Sequence, residues 1–452
     1  MDVLDLTRLQ FAVVTLYHYL FVPLSISLSA ATAGLQIAWM RTGDDKYRQL
    51  TMLVGKLLIV TFAVGVVTGL VQEFQFGLAW SEFARFYGDV FGPTLAIEGM
   101  LAFFLEATFL ALWYFGWDRL SRRVHLATIV VVAVGTLLSA FIILAANSFM
   151  QHPVAYELDP VTGRARLTSF SELLLNKVNL AAFPHTMSGA VMVGGALLLA
   201  VGAWRLRDAA DGDTFRTLAR LGAWMTAAGG AFTALTGDHL GKVITQVQPM
   251  KMAAAEALYA TTTGAPFSVF AIPGFSIEVP RLLSILAYGS PDATVAGMDD
   301  LQAQYSAAYG PGSYVPMIPV AFWTFRLMIG AGMLAMGFAL LYLWRTRRNR
   351  RPDAWMVRAA ILLPLLPAAA NSLGWIFTET ARQPWIAFGL SKVADGISPG
   401  LTTGEVLASL LAFTAVYGVL AVAWLRLVRH LARKPLAAPD PVAADPEPAL
   451  SY

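Results

Sequence analysis

The densest concentration of reactive side chains is the stretch Gly374-Trp-Ile-Phe-Thr-Glu-Thr-Ala-Arg-Gln-Pro-Trp385. It closes a long apolar run, Ala359 to Phe377, with a carboxylate, Glu379, a guanidinium, Arg382, and two indoles, Trp375 and Trp385. Trp375 and Glu379 are four apart and share a helix face; Arg382, three further on, stands on the neighbouring side. Pro384 ends the helix or fixes its exit turn. An ionisable residue at the end of an apolar span is costly without a partner, so a functional site is the default reading. The competing reading is an interfacial belt of Trp and Arg.

Other polar residues interrupt apolar sequence in the same way. His18 lies in Tyr17-His-Tyr19 and His185 in Phe183-Pro-His-Thr186. A lone interior histidine is ordinarily a hydrogen-bonded core residue, and a lone Met ordinary packing. Met328 follows Arg326 by two positions, so the two point to opposite sides of a helix, which would let one face a cofactor iron and the other an adjacent charge. Glu98 and Glu106 share one apolar stretch, about 12 Å and some 80° apart on an α-helix. Two carboxylates on neighbouring faces suggest a proton relay, which Ser139 and Asn147 extend, rather than a metal site. Lys251 and Glu256 sit among aromatics in a long connection. Five apart, they share no helix face, and a solvated loop is their default reading.

The elements that must position these residues are membrane helices. The chain has 452 residues, 57% hydrophobic and only 13% charged, about half the charge of a soluble protein. Nine apolar stretches are long enough to cross, near 12–39, 52–74, 94–116, 125–147, 183–204, 217–237, 318–344, 357–378 and 404–428. Basic residues fall in alternate connections: Arg41 to Arg48, Arg119 to Arg123, Arg205 to Arg220, Arg345 to Arg358 and Arg426 to Lys434. All five clusters share one side only if the N-terminus is outside and the C-terminus cytoplasmic. The expected fold is therefore an all-α polytopic membrane protein of nine transmembrane helices. Residues 1–433 form one domain, with an outer loop at about 238–316, folded rather than one helix because Gly264, Pro266, Pro273, Gly274 and Pro280 punctuate it. A disordered tail follows at 434–452.

The absence of cysteine excludes disulfides, iron–sulfur clusters and covalently attached haem. Six scattered histidines, none within four residues of another, exclude a local His-pair metal site and argue against a haem–copper centre.

In order along the chain, Thr7-Arg-Leu-Gln-Phe-Ala12, Glu73-Phe-Gln-Phe-Gly77, Ile97-Glu-Gly99, Phe103-Phe-Leu-Glu106, Phe115-Gly-Trp-Asp-Arg-Leu120, Ser169-Phe-Ser-Glu-Leu173, Phe325-Arg326 with Met328, and Arg382-Gln-Pro-Trp385 closely resemble subunit I of the cytochrome bd-type quinol oxidases. The resemblance runs from Asp5 to about Leu431 and is to the short-loop type. It implies a terminal oxidase of the bacterial plasma (inner) membrane that oxidises ubiquinol or menaquinol outside and reduces dioxygen to water. The proton gradient then arises by charge separation without pumping. It matches His185 and Met328 to the axial ligands of a low-spin haem b. It matches His18 and Glu379 to the ligands of two high-spin haems, a haem b and a haem d that a further haem b replaces in some short-loop relatives. Related enzymes differ in which site holds haem d, and both assignments stay open. Trp375 matches an aromatic between haems, Arg326 and Arg382 match partners of haem charge, Glu98 and Glu106 the proton route, and Lys251 and Glu256 the quinol-binding pair. Subunit II is the implied partner, with room for a small single-span accessory subunit, and no nucleic acid is involved. Ala381 departs from the family's usual Gly, a modest change unless that position needs a positive φ.

Overall fold

The structure, a computed structural model, describes residues 2–207, 212–272 and 274–436, without the side chains of 101–103. Pro273 and, of the expected disordered tail, residues 437–452 lie outside the described residues.

Helices dominate. α1 (Val3–Tyr19), α2 (Val22–Thr42) and α3 (Asp45–Leu78) come first. α4 (Ser81–Gly99), a π-helical segment (Met100–Glu106) and α5 (Ala107–Phe115) form one rod, followed by α6 (Arg122–Gln151). A hairpin of β1 (Tyr156–Leu158) and β2 (Ala165–Leu167) and the short α7 (Phe170–Leu174) lead to α8 (Lys177–Arg205) and α9 (Gly212–Val247). The long connection holds α10 (Pro249–Glu256), β3 (Thr262–Thr263), β4 (Phe267–Ile272), β5 (Phe275–Val279), α11 (Leu282–Tyr288), β6 (Thr294–Val295) and α12 (Met298–Tyr309). β4 pairs antiparallel with β5, and β3 with β6. Then come α13 (Ile318–Arg345), α14 (Ala354–Leu362), α15 (Leu365–Thr380), β7 (Trp385–Ala387) paired with β8 (Ser391–Lys392), and α16 (Thr403–Arg433).

Among the described residues, eight helical stretches from Val3–Thr42 to Thr403–Arg433 are long and apolar enough to cross a membrane. The chain is a multi-pass membrane protein. α9 covers the sixth expected stretch but is not among the eight: only 221–237 separates Arg220 from Asp238, and the four glycines and three threonines within it keep its hydropathy low. It also runs beyond 237 to Val247, its extension tied by a Lys242–Asp238 pair at 2.6 Å.

Two expected spans are broken where proline dictates. Pro23 has no N–H and its ring clashes with the carbonyl four residues back, so the first stretch breaks at Leu20–Phe21 and His18 falls in the last turn of α1. Pro364 separates α14 from α15 in the same way. Side chains cap some helix starts: Asp44 accepts from the Lys46 amide at 3.0 Å, and Thr402 with Glu405 forms a capping box on α16.

Lipid gives helices little hydrophobic reason to associate, so close packing must hold them. The most extensive pairing, α8 with α9, is built on small residues. A Cβ on Gly202 would lie 2.5 Å from the Ala219 nitrogen, one on Gly195 2.6 Å from the Thr226 nitrogen, and one on Gly222 2.5 Å from the Gly195 carbonyl oxygen. Gly222→Val is therefore expected to pry the pair apart, costing about 1–3 kcal/mol by overpacking. It should lower the thermal midpoint of the purified complex, whereas Trp224→Phe, on the exposed side of the same helix, leaves it unchanged.

Candidate functional site

The histidines separate by what their two ring nitrogens do. His125 spends both: Gln36 Nε2 lies 2.8 Å from Nδ1, and Nε2 donates to the Trp113 carbonyl at 2.7 Å. Gln36 Oε1 in turn accepts from Trp113 Nε1 at 2.8 Å, so the group is a closed core network. His185 on α8 donates Nδ1–H to the Thr233 carbonyl at 3.1 Å. His18 places Nδ1 3.0 Å from the Thr68 hydroxyl, whose own hydrogen goes to the backbone of α3, so here too Nδ1 carries the proton. Both rings thereby keep a basic Nε2, in the tautomer that a partner at Nδ1 fixes for metal-ligating histidines.

Three of the four candidate ligands, His18, His185 and Met328, are each faced by a glycine. A Cβ on Gly69 would lie 3.0 Å from His18 Cε1, one on Gly237 3.1 Å from His185 Cε1, and one on Gly374 2.9 Å from Met328 Sδ. The three come from α3, α9 and α15, opposite α1, α8 and α13. Among the described residues no three His, Asp or Glu cluster as a metal-ion site. Single ligands on separate helices beside small residues suit a flat macrocycle such as haem, which brings four of its own nitrogens to the metal and asks the protein for one or two more.

Glu379, in the last turn of α15, accepts from Asn147 Nδ2 at 2.9 Å and pairs with Arg382. Arg382 is 7% exposed, and its Nε and Nη1 have no partner, nor does Trp385 Nε1. Trp375 meets Tyr19, the neighbour of His18, edge-on at 5.3 Å. Ala381 has φ −77°, so the position needs no glycine and Ala is unstrained there.

Lys251 and Glu256 are not solvated loop residues. α10 buries both, to 2% and 6% exposure, and sends them apart. Lys251 Nζ donates to Gln151 Oε1 and, at 3.1 Å, to the carbonyl of Thr378, next to Glu379. Burial, with the Arg382 guanidinium nearby, brings the Lys251 ammonium down to about 7, against the pull of Glu379. It lines a tight cleft of about 10 Å³ with Gln248, Tyr305, Arg382 and Trp385. Glu256 instead pairs with Arg326 at 2.8 Å and accepts from the Ser268 amide at 3.3 Å. Burial raises its carboxyl while Arg326 holds it down. Arg326 spends Nε on the Ser268 carbonyl at 2.6 Å and Nη1 on the Ala255 and Phe322 carbonyls. All three of its nitrogens are thus satisfied within the protein.

Glu98 accepts from the Ser139 hydroxyl at 2.9 Å, and Glu106 packs its Cγ against Gly135, leaving Oε1 without a partner. Ser139 and Gly135 are four apart on α6, so both carboxylates lie along one ridge rather than on neighbouring faces. The difference is the π-helical segment ending at Glu106: its wider turn rotates less per residue and swings Glu106 back toward Glu98. Asn147, which holds Glu379, continues the same inclined i+4 row of α6. Three carboxylates thus follow one helix over about 18 Å of rise. Neither the π-segment nor the Gln151 contact has a signal in the sequence.

Residues 6–436 match the family described as cytochrome bd terminal oxidase subunit I. Similar proteins include the cytochrome bd ubiquinol oxidase subunit 1 of Bacillus subtilis (strain 168), 41% identical over 93% of this chain and 91% of that protein. Another is the cytochrome bd-II ubiquinol oxidase subunit 1 of Escherichia coli (strain K12), 34% identical over 96% of each. Among solved structures, a chain of the bd oxidase from Geobacillus thermodenitrificans superposes with a TM-score of 0.87 at 27% identity, over 96% of this chain and 98% of that one.

Removing one partner of a buried ion pair strands the other at a cost of about 3–5 kcal/mol. Arg326→Met is therefore expected to loosen α10 and the β4–β5 hairpin, seen as faster proteolysis within 257–316. Adding Glu256→Met should restore most of the resistance, because no charge is then left unpaired.

Proposed function

The chain belongs to the cytochrome bd terminal oxidase subunit I family, and on that premise we propose that it is the haem-bearing subunit of a quinol:oxygen oxidoreductase. His185 and Met328 would hold the low-spin haem b. His18 and Glu379 would hold the two high-spin haems, one a haem b and the other haem d or a further haem b. Haem iron held there supplies one-electron carriers and, where an axial position stays open, the site that binds and reduces dioxygen. The observation that carries the reading is the pair of imidazoles whose Nδ1–H is spent and whose Nε2 is not.

The residues around them then have definite tasks. Thr68 and Thr233 fix the two rings. Gly69, Gly237 and Gly374 leave the approach clear. The uncommitted Nε and Nη1 of Arg382 suit the carboxylate of a haem propionate. Trp375 and Tyr19 fill the space between the His18 and Glu379 sites with aromatic contact that excludes water. Glu106 and Glu98 hold and pass protons along α6 toward Asn147 and Glu379. Lys251 and Glu256 bind quinol, whose hydroxyl hydrogens they receive. Arg326 positions Glu256 for this. The cleft at Lys251 is too tight for a quinol head, so the connection carrying α10 must open to admit it.

The five basic clusters lie at the helix ends opposite α10, which supports quinol oxidation outside and proton uptake inside. Charge separation then needs no pump. Nine spans, an outer N-terminus and a heterodimer with subunit II, with a small accessory subunit where present, complete this reading.

Two measurements test it. A pyridine haemochrome and a reduced-minus-oxidised spectrum of the purified complex should show b-type haem with a low-spin component; Met328→Leu should convert that component to high spin while carbon monoxide still binds elsewhere. Purified protein without haem would sink the reading. Lys251→Met should raise the quinol KM on the order of tenfold, the cost of one or two lost hydrogen bonds, while artificial one-electron donors still reduce the haems. In the wild type, quinol oxidation should climb as pH passes about 7, where Lys251 sheds its proton and becomes able to accept another. That rise should flatten in Lys251→Met; equal losses with both donors would contradict a local quinol role.

A further inference from the structure

Far from the haem-ligand candidates, the turn between α13 and α14 carries the most concentrated charge in the chain. Between 345 and 358 there are six arginines, Arg345, Arg347, Arg348, Arg350, Arg351 and Arg358, against the single carboxylate of Asp353. Positive residues at this end of a span are expected from topology alone. Their arrangement goes further. Arg345, Arg347, Arg350 and Arg351 converge with Trp344, Asp353 and Met356 on a cavity of about 280 Å³, the size of a small headgroup rather than a water.

The one acid is already committed. Asp353 Oδ2 lies 2.8 Å from Arg345 Nη2. Among the described residues no carboxylate pairs with Arg347, Arg350 or Arg351. Because Asp353 turns to Arg345, it does not cap α14 although it stands at the N-cap position. The amides of Ala354, Trp355 and Met356, which have no helical acceptor, open beside the same guanidinium groups. Donors are thus abundant and acceptors almost lacking, the composition of an anion site.

The surroundings identify the anion's carrier. Trp344 is 54% exposed, with Arg347 stacked over its ring at 5.2 Å, and Trp355 is 49% exposed. Indoles of this kind sit at headgroup depth. The exposed Leu340, Leu341, Ile361 and Leu362 continue from the cavity's two helices into the apolar spans. A soluble phosphate would have no use for that apolar continuation; a lipid phosphate diester with acyl chains would.

We propose that the α13–α14 turn is a binding site for the headgroup phosphate of an anionic phospholipid, held by Arg347, Arg350 and Arg351 and the first amides of α14, with Trp344 at the rim. Asp353 tempers the site by neutralising Arg345.

The test uses the purified complex in nanodiscs, with retained lipid read by native mass spectrometry. Wild type should retain phosphatidylglycerol on the order of tenfold over phosphatidylcholine. Arg347→Gln with Arg350→Gln should abolish that preference with the visible spectrum unchanged. A matched double substitution on the same face but another helix, Arg426→Gln with Arg429→Gln, should leave it intact. Asp353→Asn should strengthen it several-fold. Inorganic phosphate added in excess should leave most of the phosphatidylglycerol in place. Equal retention of the two lipids, equal losses in the two double variants, or full displacement by inorganic phosphate would each overturn the assignment, the last making this a free-anion site.

Discussion

A charge held among apolar helices persists only with a partner close by, because hydrocarbon offers nothing else to solvate it. That constraint organises the molecule. Arg326 sits inside α13, yet its partners, Glu256 and the carbonyls of Ala255 and Ser268, all belong to the connection after α9 except for the carbonyl of its own Phe322. The arginine therefore fastens α10 and the β4–β5 hairpin to the bundle. Lys251 makes a second fastening, to Gln151 at the end of α6 and to Thr378 near the end of α15. What reads as a long loop is pinned at two buried cations, and its two functional candidates point where those pins direct them.

The same constraint sorts the histidines. A buried imidazole must place one N–H and can place one lone pair. His125 does both with Gln36 and Trp113 and becomes structure. His18 and His185 place only the N–H, each on the backbone-bonded face of a neighbouring helix, and each ring looks past a glycine. Both rings are half-buried and half-satisfied, and the α8–α9 contact, where small residues bring backbones together, holds His185 in place.

Much of this was legible in the sequence because membrane spans are local statements: a run of apolar residues and alternate basic connections place helices without knowledge of any contact. Pro23 and Pro364 mark their breaks locally as well, since neither can donate an N–H to the preceding turn. The pairing of Glu256 with Arg326 was not legible, since 70 residues separate them and nothing in either segment names the other. The default reading of Lys251 and Glu256 as solvated residues failed for that reason. Their spacing of five correctly sent them to different faces, but burial is set by α10 lying against α13 and α12. The relation of Glu98 to Glu106 was misjudged because counting at 100° per residue assumes an α-helix, and the π-segment between them breaks that assumption.

The polar atoms left over point the same way from two ends. Natural folds leave few buried polar groups unpaired. Near Glu379, Arg382 Nε and Nη1, Trp385 Nε1 and Gln151 Nε2 are donors without a partner among the described residues, and Gln248 Oε1 in the same cleft is an unpaired acceptor. Midway along the α4–α5 rod the unpaired atom is an acceptor, Glu106 Oε1, against Gly135. The donors left over beside the Glu379–Arg382 pair can take a further anionic acceptor. A lone carboxyl oxygen in apolar surroundings asks for a proton or a water that brings one. Held apart toward opposite ends of the α6 ridge, with Glu98 and Ser139 between, the two groups stand where the proposed proton path would begin and end.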